Sequence, residues 1–158
     1  FPGGPVQGKL LVDENSGAIF VAQQNMGTVI YFEPDGEGPV LLPVESGPVD
    51  MVQDRNTGLV YVACRDSHSV VVVDAAAGES WSIPLGESPV ALAIDDHAGY
   101  LFVALREGRS MGVVDLYGHQ LATVDVGGPQ RDVTVDPGVE GGFAYAVIEC
   151  EILARMAY

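Results

Sequence analysis

The chain has 158 residues, enough for one domain with a sizeable core. Acids outnumber bases 22 to 7, for a formal net charge of −15, and Lys9 is the sole lysine. That balance excludes the clustered cations that nucleic-acid backbones or anionic lipid require. No run approaches the 18 or so apolar residues of a membrane span.

Four aspartates, Asp13, Asp54, Asp95 and Asp136, recur at a constant step of 41 residues. Gly17, Gly58 and Gly99 keep the step, as do Ala22, Ala63 and Ala104 and the acids Glu33, Asp74 and Asp115. A period near 40–45 that encloses only strand-like runs predicts β-propeller blades. Each blade buries its faces only by stacking on its neighbours. In chain order the blades are 5–47, 48–87, 88–128 and an incomplete 129–158. Each opens at a Gly-Pro or Ser-Pro step (Gly4-Pro5, Gly47-Pro48, Ser88-Pro89, Gly128-Pro129). Proline fixes φ and lacks a donor, which places it in the loop before an inner strand and not in the strand itself.

Within each blade the first strand is predicted over Lys9–Val12, Asp50–Gln53, Ala91–Ile94 and Asp132–Val135. An Asp-x-x-x-Gly turn follows. Its carboxylate accepts amides two or so residues on, and its glycine supplies φ > 0. One carboxylate per turn falls far short of the 6–8 oxygens calcium takes, so these aspartates read as structural. The second strand, Ile19–Ala22, Val60–Ala63 and Leu101–Ala104, is apolar on both faces and fits between two blades. The third runs over Thr28–Phe32, Ser69–Val73 and Ser110–Val114. The outer strand covers Val40–Leu42, Trp81–Leu85 and Leu121–Val126. The expected fold is all-β: an arc of three complete four-stranded blades of about 41 residues plus most of a fourth, about fifteen strands in all.

Blade four departs from the pattern. Its turn after Asp136 carries an insertion, Phe143–Val147 fits a second strand, and Ile152–Met156 takes the place of the third, one residue out of register. Ala146–Ala157 is also rich in helix formers, which leaves a short helix as the alternative. Cys64 and Cys150 lie two blades apart in this scheme, too far for one bridge, and read as unpaired, partly buried thiols.

The run Pro89–Ala104 (PVALAIDDHAGYLFVA) with Met111–Asp115, and Val60–Ala63 with Val70–Asp74 and Gly78, resembles the YVTN-type β-propeller repeat. The resemblance covers nearly the whole chain. Related propellers include secreted and surface-layer binding proteins, lactonase-like enzymes, and the propeller parts of periplasmic oxidoreductases. The resemblance therefore implies an extracellular or periplasmic location. No catalytic motif of those enzymes matches position by position.

Loops joining strands two and three share one face of a propeller with the blade-to-blade crossovers. That face is expected to carry Gln24, Arg65, His68, Arg106 and Arg109, with Arg65 and Arg106 one repeat apart. Guanidinium groups so gathered would form an anion-recognising rim. The competing reading pairs Arg65 with Asp66 and Arg106 with Glu107 on a solvated loop. His97 and His119 fall on the opposite face, so the histidines do not converge on a metal. There is no Cys-x-x-Cys-His, no phosphate loop after a strand and no Gly-x-Ser-x-Gly elbow, and no cofactor is expected. The leading functional reading is a non-enzymatic, exported module for partner binding or scaffolding. The alternative is part of a propeller enzyme, lactonase-like or an oxidoreductase subunit.

An arc of this size leaves two blade faces without neighbours, expected at Ile19, Phe20 and Val21 of blade one and at Phe143, Tyr145 and Val147 of blade four. It also leaves the third strand of blade four as an open edge. The start at Phe1 and the end at a strand terminus read as those of a processed chain or a piece of a longer one. The rest of the ring is expected from a longer chain, another subunit or a second copy.

Overall fold

A computed structural model describes residues 8–36, 38–137, 142–148 and 153–157. The step Gly4-Pro5, most of the blade-four insertion, Cys150 and Ile152 lie outside the described residues. Among the described residues fifteen strands form four antiparallel sheets, with the strands of each in chain order. Blade one holds β1 (Leu10–Val12), β2 (Ile19–Gln23), β3 (Thr28–Phe32) and β4 (Val40–Pro43). Blade two holds β5 (Pro48–Gln53), β6 (Val60–Cys64), β7 (Ser69–Asp74) and β8 (Glu79–Pro84). Blade three holds β9 (Pro89–Asp95), β10 (Tyr100–Leu105), β11 (Ser110–Asp115) and β12 (Gln120–Asp125). Blade four has three described strands, β13 (Gln130–Asp136), β14 (Phe143–Ile148) and β15 (Leu153–Ala157). The chain is therefore a partial β-propeller. The described parts of the stretch with helix-forming composition, 146–148 and 153–157, are strands, with β15 paired to β14 so that the repeat continues.

The turns explain the repeat. Asp54 is buried, and its carboxylate accepts the Asn56 amide at 2.9 Å and the Thr57 hydroxyl at 2.6 Å. Its carbonyl accepts the Gly58 amide at 2.8 Å. Asp13 repeats all three bonds with Asn15, Ser16 and Gly17, and the Ser16 hydroxyl holds its carboxyl below the usual range. Asp95 accepts the amides of His97 and Ala98. Gly58 has φ +80°, and an added Cβ there would meet no atom within 4 Å. Gly58→Val therefore isolates the backbone cost. It is expected to lower stability by about 1–3 kcal/mol, read by urea unfolding; an unchanged midpoint would contradict the turn.

Three cores fill the spaces between blades. Between blades one and two, Phe20, Ala22 and Val29 meet Met51, Val60, Val62, Val71 and Val73. Between two and three, Tyr61, Ala63 and Val70 meet Leu92, Leu101 and Val103. Between three and four, Phe102, Ala104 and Met111 meet Val133 and Ala144. Successive side chains of a strand point to opposite faces. This corrects the expectation for blade one: Phe20 is buried against blade two, and only its neighbours Ile19 and Val21 lie on the free face. In blade four Phe143, Tyr145 and Val147 lie on the side away from blade three, while Ala144 and Ala146 are buried.

The prolines are a second correction. Pro48 and Pro89 open β5 and β9 from inside the strands, opposite Cys64 and Leu105, with a register shift directly after each. A first strand position beside a bulge needs no ladder donor, so proline is tolerated there.

Burial also sets an alkaline limit. Tyr61, between blades two and three, donates its hydroxyl to the Leu116 carbonyl at 2.8 Å. Burial, then the charges of Asp54 and Asp115, pushes it from 10.0 up to about 12. Burial likewise lifts the free thiol of Cys64 from 9.0 to about 12. The folded chain keeps both protons longer than the unfolded chain. Their stabilisation is complete below about pH 9 and is lost as pH rises through about 12. A Cys150→Ser variant should therefore resist thiol reagents at pH 8 until unfolded and lose melting temperature from pH 9 upward. Labelling of native protein would contradict this burial.

Candidate functional site

The rim is built by one hydrogen-bond pattern repeated at each junction. The Arg65 amide donates to the Gly47 carbonyl at 2.9 Å, and 41 residues on the Arg106 amide donates to Ser88 at 3.0 Å. These bonds tie the loop after the second strand to the incoming crossover. A second set runs from Val44, Leu85 and Val126 amides to the carbonyls of Gly27, His68 and Arg109 at 2.9–3.0 Å. To present those carbonyls the three residues adopt φ of 57–58°. Glycine suits that conformation in blade one; His68 and Arg109 hold it against the usual preference of side-chain-bearing residues.

Strand register puts this rim opposite the aspartate turns. Arg65 follows Cys64, which pairs with Pro48 at one end of β5, whereas Asp54 follows Gln53 at the other. Arg106 and Asp95 bear the same relation in blade three.

Arg65, His68 and Arg106 come together in one shallow depression of about 400 Å³, with Asp66, Ser88 and Glu107. Gln24 lies one junction away, where it shares a depression with Arg65 and Asp66. Arg109 is turned elsewhere: its guanidinium donates to the Gly127 carbonyl. Arg65 is held by Asp66 at 2.9 Å, the local pairing that competes with ligand binding. Asp66 and Glu107 thus bring two carboxylates to the depression that holds the Arg65 and Arg106 side chains. Glu45 and Glu87 are occupied at the same rim as acceptors for Ser69 and Ser110.

Sequence reasoning missed the third junction, where Val90, Arg106, Gln130 and Arg131 line a depression of about 340 Å³. Gln130 is buried and donates to the carbonyls of Leu105 and Ser110, and its Oε1 has no partner among the described residues. It occupies the strand position that Pro48 and Pro89 hold in the other blades, so nothing in the repeat marked it. His97 and His119 sit in turns on the opposite face, and His119 pairs with Asp115 at 2.8 Å. On that face Leu11, Glu14, Met51, Arg55, Asp95 and Asp96 help line a depression of about 370 Å³. Among the described residues no group of three or more His, Cys, Asp or Glu is placed to hold a metal, and no helix is long and apolar enough to cross a membrane.

The four sheets and their stacking define an arc of a β-propeller. No family model matches the chain, and no curated protein matches it. Solved structures do. Hydrazine synthase of Kuenenia stuttgartiensis superposes with a TM-score of 0.78 at 17% identity, over 99% of this chain and 49% of that one. Virginiamycin B lyase of Staphylococcus aureus gives 0.76 at 8% identity, over 99% and 57%. The dihydro-haem d1 dehydrogenase NirN gives 0.72 at 13%, over 95% and 35%. The chain thus spans roughly a third to three-fifths of the propeller proteins it resembles. At such identities the likeness is one of fold.

Proposed function

We propose that this chain is a non-enzymatic, exported β-propeller module that recognises an acidic group of a partner on the rim formed by Arg65, His68 and Arg106. It works as one arc of a larger ring, the rest of which comes from a longer chain, another subunit or a second copy. The observation that carries the reading is the convergence of these three side chains from two blades in one depression. A supporting one is His68, which bears a side chain in a backbone conformation that glycine fills in blade one. Charge-assisted bonds from two guanidiniums contribute about 1.5–3 kcal/mol each. The double variant Arg65→Ala, Arg106→Ala should therefore bind citrate at least about tenfold more weakly, with an unchanged far-UV spectrum. Equal titration curves for variant and wild type would remove the rim from consideration.

The second reading is part of a propeller enzyme. It is favoured by the superposition on proteins described as a synthase, a lyase and a dehydrogenase. A Soret band, quinone absorbance or stoichiometric metal in purified material would select it. Recovery in the periplasmic or extracellular fraction of the source cell is the outcome expected for an exported module.

A further inference from the structure

The two outer flanks of the arc carry the two halves of one blade-to-blade contact. On blade one the outer flank carries Leu10, Ile19, Val21, Ile30 and Phe32; Leu10 and Ile19 are exposed, Ile30 is already buried within one copy, and register sets Leu10, Val21 and Ile30 in one cross-strand row. The residues 41 further on are Met51, Val60, Val62, Val71 and Val73, all buried in the first inter-blade core. Leu10 is 58% exposed, whereas its equivalents Met51 and Leu92 are 1% and 5% exposed. What separates them is the preceding blade, which covers Met51 and Leu92 with the face that bears Phe20 or Tyr61.

Blade four displays that covering face. Tyr145 pairs with Thr134 as Phe102 does with Ala93, Tyr61 with Val52 and Phe20 with Leu11. It therefore stands where the three buried aromatic rings stand. A polar signature accompanies it. Asp50 accepts the Met51 amide at 2.9 Å through Oδ1 and reaches across to the Leu92 amide of the next blade at 2.8 Å through Oδ2. Asp132 holds the same register position and makes the same first bond, to the Val133 amide at 2.9 Å. The residue equivalent to Leu92 in blade one is Leu10.

We propose that a second copy of this chain covers these flanks head to tail, with Tyr145 and Val147 of each copy on Leu10, Ile19 and Val21 of the other and with Asp132 accepting the other copy's Leu10 amide. This rests on the reading of the chain as an arc of a larger ring and names what completes it. Both halves of the contact occur on one polypeptide, and the three junctions inside the arc already make it. Two copies bring eight blade sheets, within the 4–8 of closed propellers. Two identical heterologous contacts close such a pair when the rotation fits.

Light scattering on the full chain at increasing concentration tests this. The expected mass is twice 16.6 kDa. Leu10→Asp and Val147→Asp change residues already exposed in one copy, so each variant should fold and run as a monomer. Mixing the two restores one intact contact and should return a pair that neither forms alone. Folded variants that fail to pair on mixing would overturn the assigned flanks, and a ladder of higher multiples would overturn the closed pair. A wild-type monomer that binds a hydrophobic dye would overturn the second copy but leave the larger ring standing. A cooperatively melting monomer that binds no dye would overturn both.

Discussion

Truncating Phe102 to alanine is expected to destabilise the fold by about 3–5 kcal/mol, the largest effect of any single change considered. The ring is wholly buried between blades three and four, among Ala91, Ala93, Ala104 and Met111. Small residues on both sides leave little that can move in to fill the space, so cavity cost adds to lost transfer energy. The same truncation at Tyr145, the equivalent position on the outer flank and only partly buried there, should cost clearly less at concentrations where the chain is unassociated. Urea unfolding of the two variants makes the comparison. Equal losses would show that the two rings do not differ in having a neighbouring blade.

Asp50→Ala should cost about 2–4 kcal/mol. The carboxylate is buried, bonds two backbone amides in two blades, and pairs with Lys9 at 3.0 Å. Its removal leaves the Leu92 amide buried without its acceptor and the ammonium without a counter-charge. Asp50→Asn keeps one acceptor oxygen and should lose about half as much. If alanine were neutral at this position, the cross-blade bond would not be a stabilising latch, and the corresponding role of Asp132 would fall with it.

The repeat was readable because its punctuation is chemical. Each Asp-x-x-x-Gly turn needs a carboxylate at one end and a left-handed residue at the other, and such positions cannot drift. Third strands came out within a residue or so of the observed ones for the same reason, since turns bracket them. The facing of side chains was less readable. β6 is buried along its whole length, so its sequence shows no alternation from which to tell one neighbour's side from the other's. In β2 the apolar run Ile19-Phe20-Val21-Ala22 hides in the same way an alternation that burial does show, which puts Phe20 on the opposite flank from the expected one. Asp50 looked like an ordinary strand residue, because its second acceptor bond joins residues 42 apart in sequence. At the rim, the 41-residue step put Arg65 and Arg106 on one face, and His68 joined them. The step could not show that the Arg109 guanidinium would turn to the Gly127 carbonyl, nor that Gln130 would enter the third junction without the repeat's proline. These depend on side-chain direction, which spacing does not encode.

Amide hydrogen exchange on dilute, unassociated protein tests the central claim, an arc of stacked blades, most directly. The account predicts slowest exchange in β6, β7, β10 and β11, at positions 41 residues apart, and faster exchange in β1 and β15 at the two flanks. A protected helical segment within 146–157, or second strands that exchange as fast as the turns between them, would contradict it.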